Sequence, residues 1–128
     1  MSVYKKHILI VENEPIIALD LKFICEEIGH VCSHIAYSNE AVQKVKEIKP
    51  DLILMDIEVK EELNIIDKAE KICNEFEIPI VFFTRYHPDS YKVNELQNRC
   101  VFQQIPFTKE EIISAIKTLL NNYKYPKN

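Results

Sequence analysis

Asp56 closes the apolar run "DLILMD" (51–56), and Glu58 follows two residues on. An aspartate in that position costs free energy if buried and is useful if exposed at the end of a strand. Three other apolar runs end in the same way. "HILIV" (7–11) leads into Glu12, Asn13 and Glu14, "IVFFT" ends in Thr84, and "CVFQQ" (100–104) leads into Ile105. Singly, such residues serve as caps or turn formers. Together they bring carboxylates and a hydroxyl to the ends of several strands. Crowded carboxylates repel unless a cation joins them, and oxygen ligands suit Mg²⁺, which keeps several of its waters. An aspartate beside such an ion can act as a nucleophile toward a phosphoryl donor and form an acyl phosphate. The metal offsets charge on the transferring group, and a nearby hydroxyl can hydrogen-bond it afterwards.

The elements that must position these residues are legible in the pattern. The short apolar runs at 7–11, 31–36, 51–56, 80–84 and 100–104 read as strands, the central ones buried on both faces. Between them lie helical patterns. Ile17, Leu21, Ile24 and Ile28 recur at helical spacing after Pro15, with Asn13 as the expected cap and Gly29 as the stop. Ser38 is expected to cap "NEAVQKVKEIK", which Pro50 ends. "IIDKAEKICNEF" (65–76) and "YKVNELQNR" (91–99) read as helices. "TKEE" after Phe107 is a capping box that opens a last helix running to about Tyr123. Five strands alternating with five helices predict a parallel α/β sheet covered on both faces, with ligands bound beyond the carboxyl ends of the strands.

The 128 residues suffice for one domain. Hydrophobic residues make up 47% and charged residues 28%, which is the balance of a soluble globular domain, expected in the cytosol. The net charge of −4 is spread along the chain, with no basic patch for nucleic acid and no apolar run long enough for a membrane. The four cysteines (25, 32, 73 and 100) lack Cys-x-x-Cys spacing and are expected as reduced thiols packed like small hydrophobes. The histidines (7, 30, 34 and 87) share no metal-ligand spacing and are expected at surface or edge positions. The single glycine, Gly29, excludes a glycine-rich phosphate loop.

"ILIVENEP", "DLILMDIEV", "IPIVFFT" and "FQQIPFTKEEI", in that order and at suitable spacing, resemble the receiver domain of bacterial and archaeal response regulators over about residues 5–122. The resemblance implies a single CheY-like domain, a flavodoxin-like three-layer α/β/α fold with strand order 2-1-3-4-5. It also implies a role in two-component signalling. Asp56 would accept a phosphoryl group from a sensor histidine kinase or phosphotransfer protein. Glu12 and Asn13 would hold Mg²⁺ with Asp56 and the backbone carbonyl of Glu58. Thr84 would sense the phosphoryl group, and Phe102 takes the position of the switch aromatic. Tyr86, Val93, Phe102 and Ile113 lie in the region that many receivers offer to an output protein. The domain would signal rather than catalyse, apart from its own phosphorylation and dephosphorylation.

Four positions depart from that family's pattern. Asn13 stands where a second acid is usual, which removes one charge and leaves an amide oxygen. Ile105 replaces the lysine that pairs with the acceptor and then with the phosphoryl group, and it can do neither. Arg85 replaces a small residue after the switch threonine, and Ile65 replaces a loop glycine. The expectation is therefore a receiver with weakened metal binding and switching; the alternative is a phosphorylation-independent pseudo-receiver that binds a partner. Two other classes fit poorly. Haloacid dehalogenase-type phosphatases carry Asp-x-Asp on the first strand, whereas here Asp-x-Glu follows the third. A flavin module would need a Ser/Thr/Gly-rich loop where "ENEPII" stands.

Overall fold

The computed structural model describes residues 5–56, 74–75, 77–84 and 100–122. These residues form the strands β1 (His7–Val11), β2 (Val31–Ile35), β3 (Leu52–Asp56), β4 (Ile80–Thr84) and β5 (Cys100–Gln104). They also form the helices α1 (Pro15–Glu27), α2 (Ala41–Ile48) and α3 (Lys109–Asn122). Every strand pairing is parallel and the order is β2-β1-β3-β4-β5, the expected doubly wound arrangement. Of the helix expected over 65–76, Asn74 and Glu75 are helical. The rest of it, and the helix expected over 91–99, lie outside the described residues.

Both sheet faces are buried, which explains the uninterrupted apolar runs. On one face Ile8, Ile10, Leu52, Leu54, Val81 and Phe83 pack against α1 and α3. On the other, Leu9, Val11, Ile53, Met55, Ile80 and Phe82 pack with Ala41 and Val45 of α2. β1 and β3 are tied at their amino ends as well. The Asp51 N–H donates to the His7 carbonyl at 2.7 Å, and Asp51 Oδ2 accepts the His7 N–H at 2.9 Å.

The helix ends test the expected caps. Thr108 and Glu111 form the reciprocal box: the Glu111 N–H donates to Thr108 Oγ1 at 3.1 Å, and the Thr108 N–H donates to Glu111 Oε1 at 2.8 Å. Gly29 takes φ 96° just past α1, where only glycine is free of a Cβ clash. The cap expected at Asn13 is instead Glu14, which makes no side-chain cap bond; Pro15 opens the helix, where its missing N–H costs nothing. α2 starts later than expected, because residues 38–40 form a 3₁₀ turn and Glu40 is the N-cap. α1 also carries more apolar residues than it buries: Ile16, Leu19 and Phe23 are exposed.

Candidate functional site

The carboxyl ends of β1 and β3 are the foundation of the site. β1 pairs with β3 through Val11 and Met55. One step further along that register, Glu12 lies beside Asp56. Strand alternation continues both onto the face of Ile10 and Leu54, toward α1 and α3.

Glu12 is the one charged residue among the described buried side chains, at 3% exposure. A carboxylate removed from water needs donors. Glu12 Oε2 accepts the Glu14 N–H at 3.0 Å, which fixes the turn between β1 and α1. Its backbone is held on both sides: its N–H donates to the Ile35 carbonyl at 3.1 Å, and its carbonyl lies 2.7 Å from His34 Nε2. Asn13 and Glu14 are exposed, and Asp56 is half-buried. The Asp56 backbone pairs with Phe83 of β4.

Thr84 ends β4 and pairs with Gln104 of β5; it and Phe102 are located by their backbones in these strands. Ile105 follows β5, joined to Pro106 by a cis peptide bond. It is half-buried and packs on the core cluster of α1 and α3. Phe107 stacks obliquely on Phe83, with centroids 5.3 Å apart and ring planes inclined at 37°. Glu58, Ile65, Arg85, Tyr86, His87 and Val93 lie outside the described residues.

Two carboxylates on adjacent strand ends and an exposed amide form an all-oxygen donor set, which fits a hard cation that keeps most of its waters. Among the described residues no group of three or more His, Cys, Asp or Glu side chains is placed to hold a metal. Sequence reasoning missed His34, expected merely at an edge. The register would have exposed it, because His34 sits opposite Ile10, two residues before Glu12.

The fold matches that of known proteins. The response regulator receiver domain family matches residues 8–117, and the chain belongs to that family. It is 33% identical over 115 residues to the phyllosphere-induced regulator PhyR of Methylorubrum extorquens, covering 88% of this chain and 43% of that protein. The solution structure of the PhyR receiver domain of Erythrobacter litoralis superimposes with a TM-score of 0.80 at 26% identity, over 97% of this chain and 96% of that one. The structure of a variant of the anti-anti-sigma factor PhyR from Bartonella quintana does so with a TM-score of 0.76 at 30% identity, over 92% and 49%. The chain spans about half the length of the curated relatives it matches. No described helix is long and apolar enough to cross a membrane.

Proposed function

We propose that the chain is a phosphoryl-accepting receiver with a weakened site, in which Asp56 takes the phosphoryl group from a histidine kinase or phosphotransfer protein. The observation that carries this reading is the placement of buried Glu12 beside half-buried Asp56 at the ends of β1 and β3. A carboxylate oxygen of Asp56 attacks phosphorus, the P–N bond to the donor imidazole breaks, and the departing nitrogen takes a proton. Glu12, Asp56 and the Asn13 amide are the residues that would hold Mg²⁺, with the Glu58 carbonyl completing the set. When bound, the ion offsets charge on the transferring oxygens. Thr84 would hydrogen-bond the phosphoryl group, and Phe102 would follow it. The output partner is a protein.

Ile105 favours a second reading. Its side chain packs on the apolar core where the family's lysine would reach the acceptor. A pseudo-receiver that binds its partner without phosphoryl chemistry follows, and the anti-anti-sigma description of the Bartonella relative supplies a candidate partner class, an anti-sigma factor. Incubation with acetyl phosphate and Mg²⁺, followed by intact-mass and peptide analysis, separates the two. The first reading requires phosphoryl mass on Asp56 that is absent from Asp56→Asn. An unmodified wild type leaves the second.

A further inference from the structure

β2 lies at one end of the sheet order and pairs with β1 at all five of its positions, without a bulge. The Val31 N–H donates to the Lys6 carbonyl at 2.9 Å, and the Ile35 carbonyl accepts the Glu12 N–H at 3.1 Å. Val31, Ser33 and Ile35 therefore turn their backbone groups to β1. Alternation along the strand turns the N–H and C=O of Cys32 and His34 the other way, out of the sheet edge. Natural edges are commonly guarded by Lys, Pro or a bulge. "VCSHI" has none of these and no acidic side chain, and the His34 ring is turned to the Glu12 carbonyl. Above this edge runs α1, which packs on β1 and β2 alike. A groove of about 260 Å³ between helix and strand is lined by Pro15, Ala18, Leu19 and Lys22 of α1 and by Cys32 and His34 of β2. Leu19 is exposed, and so are Ile16 and Phe23, three residues before it and four after it on the same stripe of the helix.

We propose that this edge is the interface of a two-fold symmetric homodimer, in which the β2 strands of two copies pair antiparallel about Ser33. In that register Cys32 stands opposite His34 of the partner subunit, and such a pair exchanges both of its backbone hydrogen bonds. The two-fold repeats the pair, so every outward N–H and C=O of Cys32 and His34 finds a mate. The same axis keeps both copies of α1 on one face of the joined sheet. α1 sits over β1 and β2, about half a strand spacing inside β2, and the axis lies about half a spacing outside it. The two helices then run antiparallel about two spacings apart, roughly 10 Å, which is the separation of packed helices. Leu19, on the flank that overhangs β2, meets the other helix. A lone extended segment added to β2 would satisfy the edge and leave Leu19 and Phe23 bare. A second copy covers strand edge and helix together, and its edge brings no like charge against this one. The shared face is about 20 Å long, from the 13 residues of α1. One helix layer and one strand layer make it roughly 20 Å high. That is less than the roughly 800 Å² per partner of a standard interface, so the dimer is weak and forms at high concentration. It lies at the opposite edge of the sheet from β5 and needs no chemistry at Asp56.

The test is sedimentation velocity with amide hydrogen exchange by NMR on the full chain, each at low micromolar and at near-millimolar concentration. The expected result is a monomer–dimer equilibrium that moves to dimer with concentration. Exchange should slow at the Cys32 and His34 amides and stay unchanged at Val31, Ser33 and Ile35, which β1 already protects. Leu19→Glu combined with Phe23→Glu should weaken the dimer about tenfold or more. A chain that stays monomeric throughout, or a dimer that leaves the Cys32 and His34 amides exchanging as in the monomer, overturns the proposal. So does protection of those amides only on adding an extended β-forming peptide, which would give the edge to a foreign strand. The wild-type exchange map decides without any variant having to fold.

Discussion

The imidazole of His34 on β2 lies 2.7 Å from the backbone carbonyl of Glu12, across the sheet edge from the carboxylate that helps to form the candidate site. Nε2 must carry the proton to donate there. An exposed edge residue thus anchors the end of β1, and its removal should be felt at Glu12.

His34→Ala is expected to lower stability by about 0.5–1.5 kcal/mol, the net worth of one hydrogen bond, by urea denaturation. NMR shifts should move at Glu12 and Asn13. His34→Gln, which keeps a side-chain donor, should recover part of both. Unchanged shifts at residues 12 and 13 would remove His34 from the site's support.

Asn13→Asp should tighten Mg²⁺ binding several-fold, because it adds a carboxylate to a set of two. The measurement is an NMR titration of Mg²⁺ at fixed ionic strength. Equal affinity in wild type and variant would show that residue 13 is not a ligand. Asn13 is exposed and bears no cap bond to lose, so stability should change little.

Ile105→Lys tests the coupling lost at that position. A charge-assisted hydrogen bond to a phosphoryl group is worth about 1.5–3 kcal/mol, and a ligand shifts a two-state equilibrium only by its differential interaction with the states. With a beryllofluoride mimic on Asp56, wild type should show small shifts beyond the site, whereas Ile105→Lys should show larger ones in β5 and α3. The substitution also takes a half-buried side chain off the core, so a modest loss of stability should accompany the gain. Large shifts in wild type would mean that another residue, Arg85 first, has replaced the lysine.

His30 makes stability depend on pH. Its Nδ1 accepts the Lys6 N–H at 3.2 Å, which requires that nitrogen unprotonated. Burial first, then the Lys6 charge, holds its pKa below 6.5, with Asp51 opposing. The fold therefore favours neutral His30. Its contribution is complete above the unfolded value and is lost as pH falls through the lower folded value. Wild type should lose more thermal stability than His30→Gln between about pH 7.5 and about pH 5. Parallel losses in the two proteins would show that His30 is not the group responsible.

The sheet was readable because its strands are buried on both faces, which writes short continuous apolar runs into the chain. The last helix was readable because Thr108 and Glu111 satisfy each other's backbone donors within one turn. The caps at Asn13 and Ser38 were not, for different reasons. Next to Asn13, the Glu12 carboxylate turns back to the Glu14 N–H and settles the turn from one residue earlier. Around Ser38, a 3₁₀ turn delays α2. The neighbourhood of Glu12 and Asp56 could be inferred from strand ends. The His34 contact could not, because it depends on the register of β2 against β1.

β1 precedes the other strands in the chain but lies inside the sheet, between β2 and β3. Its left neighbour emerges from the ribosome soon afterwards, but its right neighbour, β3, is locked to it through His7 and Asp51, 44 residues apart in the chain. Until then a two-stranded ribbon leaves the backbone N–H and C=O groups that β1 will pair with β3 uncovered along one open edge. When β3 docks, that open edge passes to β3, and then to β4, each as apolar as the last. Translation thus moves one adhesive border outward across the sheet, and only the arrival of β5, with its polar Gln103 and Gln104, blunts it.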